Sequence, residues 1–110
     1  MKEVIRPWGD FKLFVKNKKC TVKLLKVKPK QKLSLQYHRE RGELWYFLTD
    51  GYVQQGIDKK RVGRGEIVFI KKGQAHRVFS KNKSILFLEI SFGKYSEKDE
   101  VRIEDAYGRE

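Results

Sequence analysis

A chain of 110 residues and 13.1 kDa is enough for one core of ordinary size, so a single domain over residues 1–110 is expected and a second catalytic module is excluded. Hydrophobic residues make up 39% and aromatics 13%, which supplies an interior; charged residues reach 36%, and the net charge is +12. Apolar runs stay far below the ~20 residues of a membrane span, the N-terminus lacks a secretion-signal layout, and one cysteine, Cys20, excludes an intrachain disulfide and a thiolate zinc site, so a cytoplasmic chain is expected.

Short segments rich in β-branched and aromatic residues run along the chain at 11–15, 21–28, 33–38, 43–48, 52–57, 66–70, 76–79 and 84–91, most of them separated by Gly or polar turns. No segment holds a helical apolar stripe for three turns, and the pattern therefore predicts an all-β sandwich or small barrel. Residues 96–107, acidic and polar around Val101 and Ile103, read as a terminal arm packed over the body, with a short helical turn at Glu104–Tyr107.

Alternation in 33–38 places Ser34, Gln36 and His38 on one side and Leu33, Leu35 and Tyr37 on the other. In 43–48 it separates Glu43, Trp45 and Phe47 from Leu44, Tyr46 and Leu48. A small barrel has one interior, so the second apolar face needs cover from another layer or another copy; a homodimer through this face is expected.

The positive charge is uneven: residues 1–42 carry 13 Lys and Arg against 3 acids, whereas residues 96–110 carry 3 against 6. A basic body favours anionic partners, a phosphorylated small molecule or a nucleic acid, although a lysine-rich solvated face has the same composition. Lys26, Lys28, Lys30 and Lys32 share one strand parity and read as a solvated edge. A nucleic-acid partner is not expected, because neither an aromatic RNP run nor a Gly-x-x-Gly loop is present.

The two histidines, His38 and His76, sit in specific contexts. Gln36 and His38 point to one face of a strand and Glu43 opens the next; His76 follows a strand and the Gly73 turn. Two imidazoles and a carboxylate, with the Gln36 oxygen as a weak fourth donor, make a workable divalent-metal set with open positions. Spacing alone also fits two structural histidines.

These stretches resemble the paired motifs of the cupin superfamily, which place three His and one Glu on a metal inside a β-barrel. Gln36, His38, Glu43 and His76 fall at the four ligand positions, and Gly65 and Gly73 match the second motif; in the first motif Lys30 replaces the opening Gly and Gly51 comes one residue late, and in the second Lys71 and Ser80 replace the Pro and Asn. Arg6-Pro7-Trp8-Gly9, Val27-Lys28-Pro29, Leu33-Ser34-Leu35-Gln36, His38, Arg41, Glu43, Trp45 and the ending Asp105-Ala106-Tyr107-Gly108-Arg109 narrow the likeness: the chain resembles type II phosphomannose isomerase over about residues 5–109.

The resemblance implies a cupin (double-stranded β-helix, jelly-roll-like) barrel acting as a stand-alone, metal-dependent isomerase of mannose 6-phosphate and fructose 6-phosphate. A divalent ion (Zn, Mn, Fe, Co or Ni) on Gln36, His38, Glu43 and His76 would polarise the sugar oxygens. Glu89, interrupting the apolar run 85–90, is the candidate proton carrier, its alternative role being to pair with an interior Lys or Arg. Arg109 is the first candidate for catalysis and phosphate binding, with Lys23 and Arg6 as further phosphate contacts. Arg6 equally suits an edge turn that packs Trp8 as a lid over the barrel, and Arg41 is expected to pair with a carboxylate. Two rival readings are a non-catalytic sugar- or metabolite-binding cupin and an oxygenase that uses the two histidines and the carboxylate.

Overall fold

The computed structural model describes residues 1–108, apart from the side chain of Glu97. Its strands are β1 (Lys2–Arg6), β2 (Gly9–Leu13), β3 (Cys20–Val27), β4 (Leu35–His38), β5 (Arg41–Phe47), β6 (Gly51–Gln55), β7 (Asp58–Val62), β8 (Ile67–Ile70), β9 (His76–Phe79), β10 (Ile85–Gly93) and β11 (Glu100–Glu104). A single 3-10 turn, Glu97–Asp99, joins β10 to β11. The all-β expectation holds: β3-β10-β5-β8 form one antiparallel sheet, β11-β4-β9-β6-β7 a second, and β1-β2 a separate hairpin.

The two larger sheets face each other because their strands alternate, and each sends one row of side chains inward. Val27, Trp45, Phe47, Val68, Ile70, Ile85 and Phe87 from the first sheet meet Val53, Val62 and Val78 from the second in one buried cluster. Phe47 and Phe87 stack with centroids 5.3 Å apart, and Trp45 meets both edge-on at 6.4 and 5.6 Å. Aromatic pairs in these geometries add to the burial of their area. Gly51 belongs to this packing: a Cβ there would lie 3.0 Å from Ile85 Cγ2 and 3.1 Å from the Phe47 ring.

Three strands depart from the sequence reading. β1 and β7 alternate too weakly to be read as strands, and β7, Asp-Lys-Lys-Arg-Val, is a charged edge that buries only Val62. The expected terminal arm is a true strand, β11, paired with β4. Its end is fastened where buried Arg77 donates to Glu104 Oε1 (3.1 Å), Glu104 O (3.2 Å) and Leu33 O (2.9 Å). This pairing extends the backbone through Glu104, so the helical turn expected at Glu104–Tyr107 is replaced by strand followed by a reverse turn.

Trp8 is not a lid. It sits at the tip of the β1-β2 hairpin, 74% exposed, and stacks on Phe11 of its own hairpin at 6.4 Å. The reason is register: Arg6 pairs with Gly9, which makes Pro7-Trp8 the turn itself and carries the indole away from the sheets.

No helix among the described residues is long and apolar enough to cross a membrane. Because Phe87 is fully buried between two aromatic partners, Phe87→Ala is expected to cost about 3–5 kcal/mol, measured as a lower urea midpoint with an unchanged slope.

Candidate metal centre

Three strands deliver the site. Glu43 comes from β5, whose inward row is Arg41, Glu43, Trp45 and Phe47, all buried. His38 ends β4, and His76 starts β9, whose backbone pairs with Gln36. The turn before His76 is tied to His38 directly, since Gly73 N donates to His38 O at 2.6 Å. Gly73 has φ +77, a conformation that side-chain-bearing residues rarely adopt, so this glycine makes the tie feasible.

The outcome is a buried triad. Glu43 Oε1 lies 2.9 Å from His38 Nε2 and 3.2 Å from His76 Nε2, with all three residues at most 2% exposed. The rings sit 5.0 Å apart at 47°. Neighbours fix each orientation: Trp45 Nε1 donates to Glu43 Oε2 at 3.3 Å, and His76 Nδ1 donates to Gln74 O at 2.8 Å. A histidine whose Nδ1 proton is committed to a carbonyl turns the lone pair of Nε2 outward, the arrangement of metal-ligating imidazoles. His38 Nε2 likewise receives Arg41 Nη2 at 3.3 Å, which makes it an acceptor too.

Two imidazole nitrogens therefore converge on one carboxylate oxygen. Glu43 Oε1 and His76 Nε2 have no hydrogen-bond partner, and an arrangement of acceptors facing acceptors is repulsive unless a cation or proton lies between them. The donor atoms lie within 4.8 Å of one another. Two imidazole nitrogens and one carboxylate oxygen suit a first-row divalent ion. Burial pushes the Glu43 carboxyl up, but His38 and His76 outweigh it and hold it down at about 2. Glu43 is thus ionised, as a ligand must be.

Of the other residues singled out in the sequence, Gln36 faces the same interior, but its Oε1 accepts from Ser34 Oγ at 2.6 Å. Glu89 points inward, 9% exposed, paired in register with Lys23 on β3 and Trp45 on β5. Among the described residues no Lys or Arg lies within 4.0 Å of it, so the pairing considered for it is not formed. Lys23 also points inward, its Nζ 4.6 Å from the centroid of Tyr95. Arg6 is engaged within the hairpin, donating to Ile5 O and lying over Phe11, and is not brought to the triad. Arg109 lies outside the described residues.

Arg41 corrects the reading from sequence. Among the described residues it makes no carboxylate pair; Nη1 donates to Ser96 O (3.1 Å) and its guanidinium lies 4.3 Å from the Tyr95 ring centroid. The strand begins at Arg41 rather than after a turn, and this puts Arg41 on the inward row two residues before Glu43. Extending the alternation of Glu43 and Trp45 back by one step is the signal that would have found it. Tyr95 and Ser91, which also border this interior, had no such signal.

A family described as the mannose-6-phosphate isomerase C-terminal matches residues 1–105. The chain belongs to that family. Among solved structures, a conserved protein with a double-stranded β-helix domain from Klebsiella pneumoniae superposes with a TM-score of 0.70 at 16% identity, covering 83% of this chain and 80% of that one; this likeness shows the fold, a cupin barrel. Among curated proteins, the mannose-1-phosphate guanylyltransferase ManC of Salmonella typhimurium is 35% identical over 98% of this chain, and the mannose-1-phosphate guanylyltransferase of Escherichia coli is 36% identical over 98%. The chain spans 23% of the length of each of them.

These relatives correct one expectation. They are guanylyltransferases that contain a stretch like this one, so the reading as a stand-alone isomerase of mannose 6-phosphate and fructose 6-phosphate is overturned. Dispersed family motifs identify the domain type and carry no information on the activity of the protein in which the domain serves.

The depressed carboxyl gives a pH test. A carboxylate held below its unfolded value contributes stability that is complete above about pH 4.5 and is lost as the pH falls toward 2. In chelator, the melting temperature of Glu43→Gln should therefore differ from that of the wild type near neutrality and converge with it across that window; a gap that stays constant down to pH 2 would contradict the ionised, imidazole-held state.

Proposed function

We propose that this member of the mannose-6-phosphate isomerase C-terminal family is a metal-dependent mannose-phosphate domain that serves the guanylyl-transfer chemistry of its relatives. The observation that carries the metal part is the buried carboxylate oxygen of Glu43, faced at 2.9 and 3.2 Å by two buried imidazole nitrogens. The mannose-phosphate part is supported by the likeness to a mannose-6-phosphate isomerase family and to mannose-1-phosphate guanylyltransferases.

In this reading His38, Glu43 and His76 hold a divalent ion, which when bound supplies Lewis-acid polarisation of sugar oxygens. Glu43 contributes the neutralising charge. Trp45 and the Gln74 carbonyl keep the carboxylate and the His76 ring in register, and the aromatic wall of Trp45, Phe47 and Phe87 keeps water from one side of the site. A low-dielectric wall strengthens every charge–dipole contact made there.

The reading includes a homodimer through the outer face of the β3-β10-β5-β8 sheet. Residues that follow β2 cover part of this face, with the Phe14 ring 5.1 Å from Tyr46, and Leu44 and Ile90 beneath are buried. Val22, Leu24 and Phe69 on the same face remain 55%, 62% and 58% exposed, and the hairpin offers Ile5 and Trp8. Apolar surface grouped in this way marks an interface, and a second copy presents both the face and the hairpin.

The wild-type chain is expected to purify with about one equivalent of a divalent metal by elemental analysis, and His38→Ala or His76→Ala to lose it. Calorimetric binding of mannose 1-phosphate or mannose 6-phosphate should disappear on chelation and return with metal; affinity that survives complete metal removal would refute the metal-dependent reading. Sedimentation at micromolar concentration should give a dimer that Leu24→Lys converts to a monomer, and a wild-type monomer would refute the interface.

A further inference from the structure

Beside the triad lies a pair of cations that the metal centre does not explain. Arg41 is 3% exposed, and among the described residues no carboxylate lies within 4.0 Å of it. Its Nε has no hydrogen-bond partner at all. Buried guanidinium groups are nearly always paired, because an uncompensated charge in a low-dielectric interior is costly. Lys23, pointing into the same interior from β3, also has no carboxylate within 4.0 Å, although Glu89 is its register partner. Glu43 is itself engaged by the two imidazoles, at 2.9 and 3.2 Å. Between these strands Ser91, 2% exposed and in register with both Glu43 and Thr21, leaves its hydroxyl oxygen unpartnered.

Both cations face the same aromatic ring, and Arg41 also lies within electrostatic reach of the Asp99 carboxylate. Tyr95 lies 4.3 Å from the Arg41 guanidinium and 4.6 Å from Lys23 Nζ. Its position follows from the close crossing just before it: Gly93 has φ +94, and a Cβ there would be 2.7 Å from Glu40 O. Asp99 ties the far end of this strap by accepting from the backbone N–H groups of Arg39 (3.0 Å) and Glu40 (2.8 Å), the Glu40 contact foremost in holding its carboxyl below the usual range. A ring face attracts a cation far less than an oxyanion does, and a guanidinium with a free N–H offers a two-pronged contact to phosphate oxygens. The Arg41 contact to His38 Nε2 uses the same lone pair that a metal takes, so a metal-loaded centre leaves Arg41 with a further free donor.

We propose that Lys23 and Arg41, with the Ser91 hydroxyl, form an anion subsite beside the His38/Glu43/His76 centre that binds a phosphate monoester in the place now faced by the Tyr95 ring. The subsite deepens the mannose-phosphate reading and rests on it only for the identity of the ester.

The test is calorimetric titration of the wild type, Lys23→Gln, Arg41→Lys and Arg41→Gln with inorganic phosphate, mannose 1-phosphate, mannose 6-phosphate and unphosphorylated mannose, with metal content and melting temperature measured on each. The wild type should bind phosphate and at least one mannose phosphate at least tenfold more tightly than mannose. Lys23→Gln and Arg41→Gln should each lose at least tenfold in phosphate affinity with metal content unchanged, and Arg41→Lys should fall between. Lys23 is only half-buried, so its variant keeps the test open if Arg41→Gln does not fold. Phosphate affinity unchanged in both Lys23→Gln and Arg41→Lys, or absent from the wild type, overturns the subsite. Should mannose phosphates bind these variants as tightly as the wild type, the subsite falls and the mannose-phosphate reading stands. Should phosphate bind through Lys23 and Arg41 while no mannose phosphate binds, the reading falls and the subsite stands.

Discussion

A carboxylate that is buried, ionised and met by two imidazole nitrogens is the constraint around which this molecule is organised. Taking the charge of Glu43 out of water is costly, and the compensation must come from groups delivered by other strands. Each of the local irregularities nearby serves that delivery. The Gly73 turn ties the start of β9 to the end of β4, which holds the two histidines at one end of the interior. Gly42 lets β5 approach the Ile70 carbonyl, where a Cβ would sit at 3.1 Å, so Glu43 is presented from a strand pressed against its neighbour. Trp45 then links chemistry to core, since one ring donates to Glu43 and packs on His76, Phe47 and Phe87.

The interior is divided by charge. One part holds the triad, in which negative charge is balanced by whatever cation or proton the imidazoles share. The other holds Arg41 and Lys23 under the Tyr95 strap, with Glu89 at the margin. The two parts meet where Arg41 Nη2 approaches His38 Nε2. Because that lone pair can serve the guanidinium or a metal but not both, occupancy of one part changes what the other can bind.

The outside of the barrel follows a different logic. The outer side of the four-stranded sheet is largely apolar, and the chain covers only part of it with Phe14 and its neighbours. The basic surface elsewhere is built from residues such as Lys26, Lys28 and Lys30, exposed along the β3 edge and the loop after it. Such a charged edge disfavours further strand pairing there and directs association to the apolar face instead.

Strands with strict alternation, β3 to β5 and β8 to β10, were legible from the sequence, as was the convergence of His38, Glu43 and His76, because period-two patterning assigns each side chain to a face and the chain holds only two histidines. β1, β7 and β11 were not, since an edge or hairpin strand buries little and its pairing depends on a partner distant in the chain. The sequence by itself determined the fold class, the inward row of each central strand and the identity of the triad. Only the tertiary structure decided that Gln36 turns to Ser34, that Trp8 stands clear of the barrel, and that Arg41 is buried without a carboxylate beneath Tyr95. Alternation specifies the side of a sheet on which a group lies, whereas its partner depends on which strands and straps cross that side, a matter settled by contacts between residues far apart along the chain.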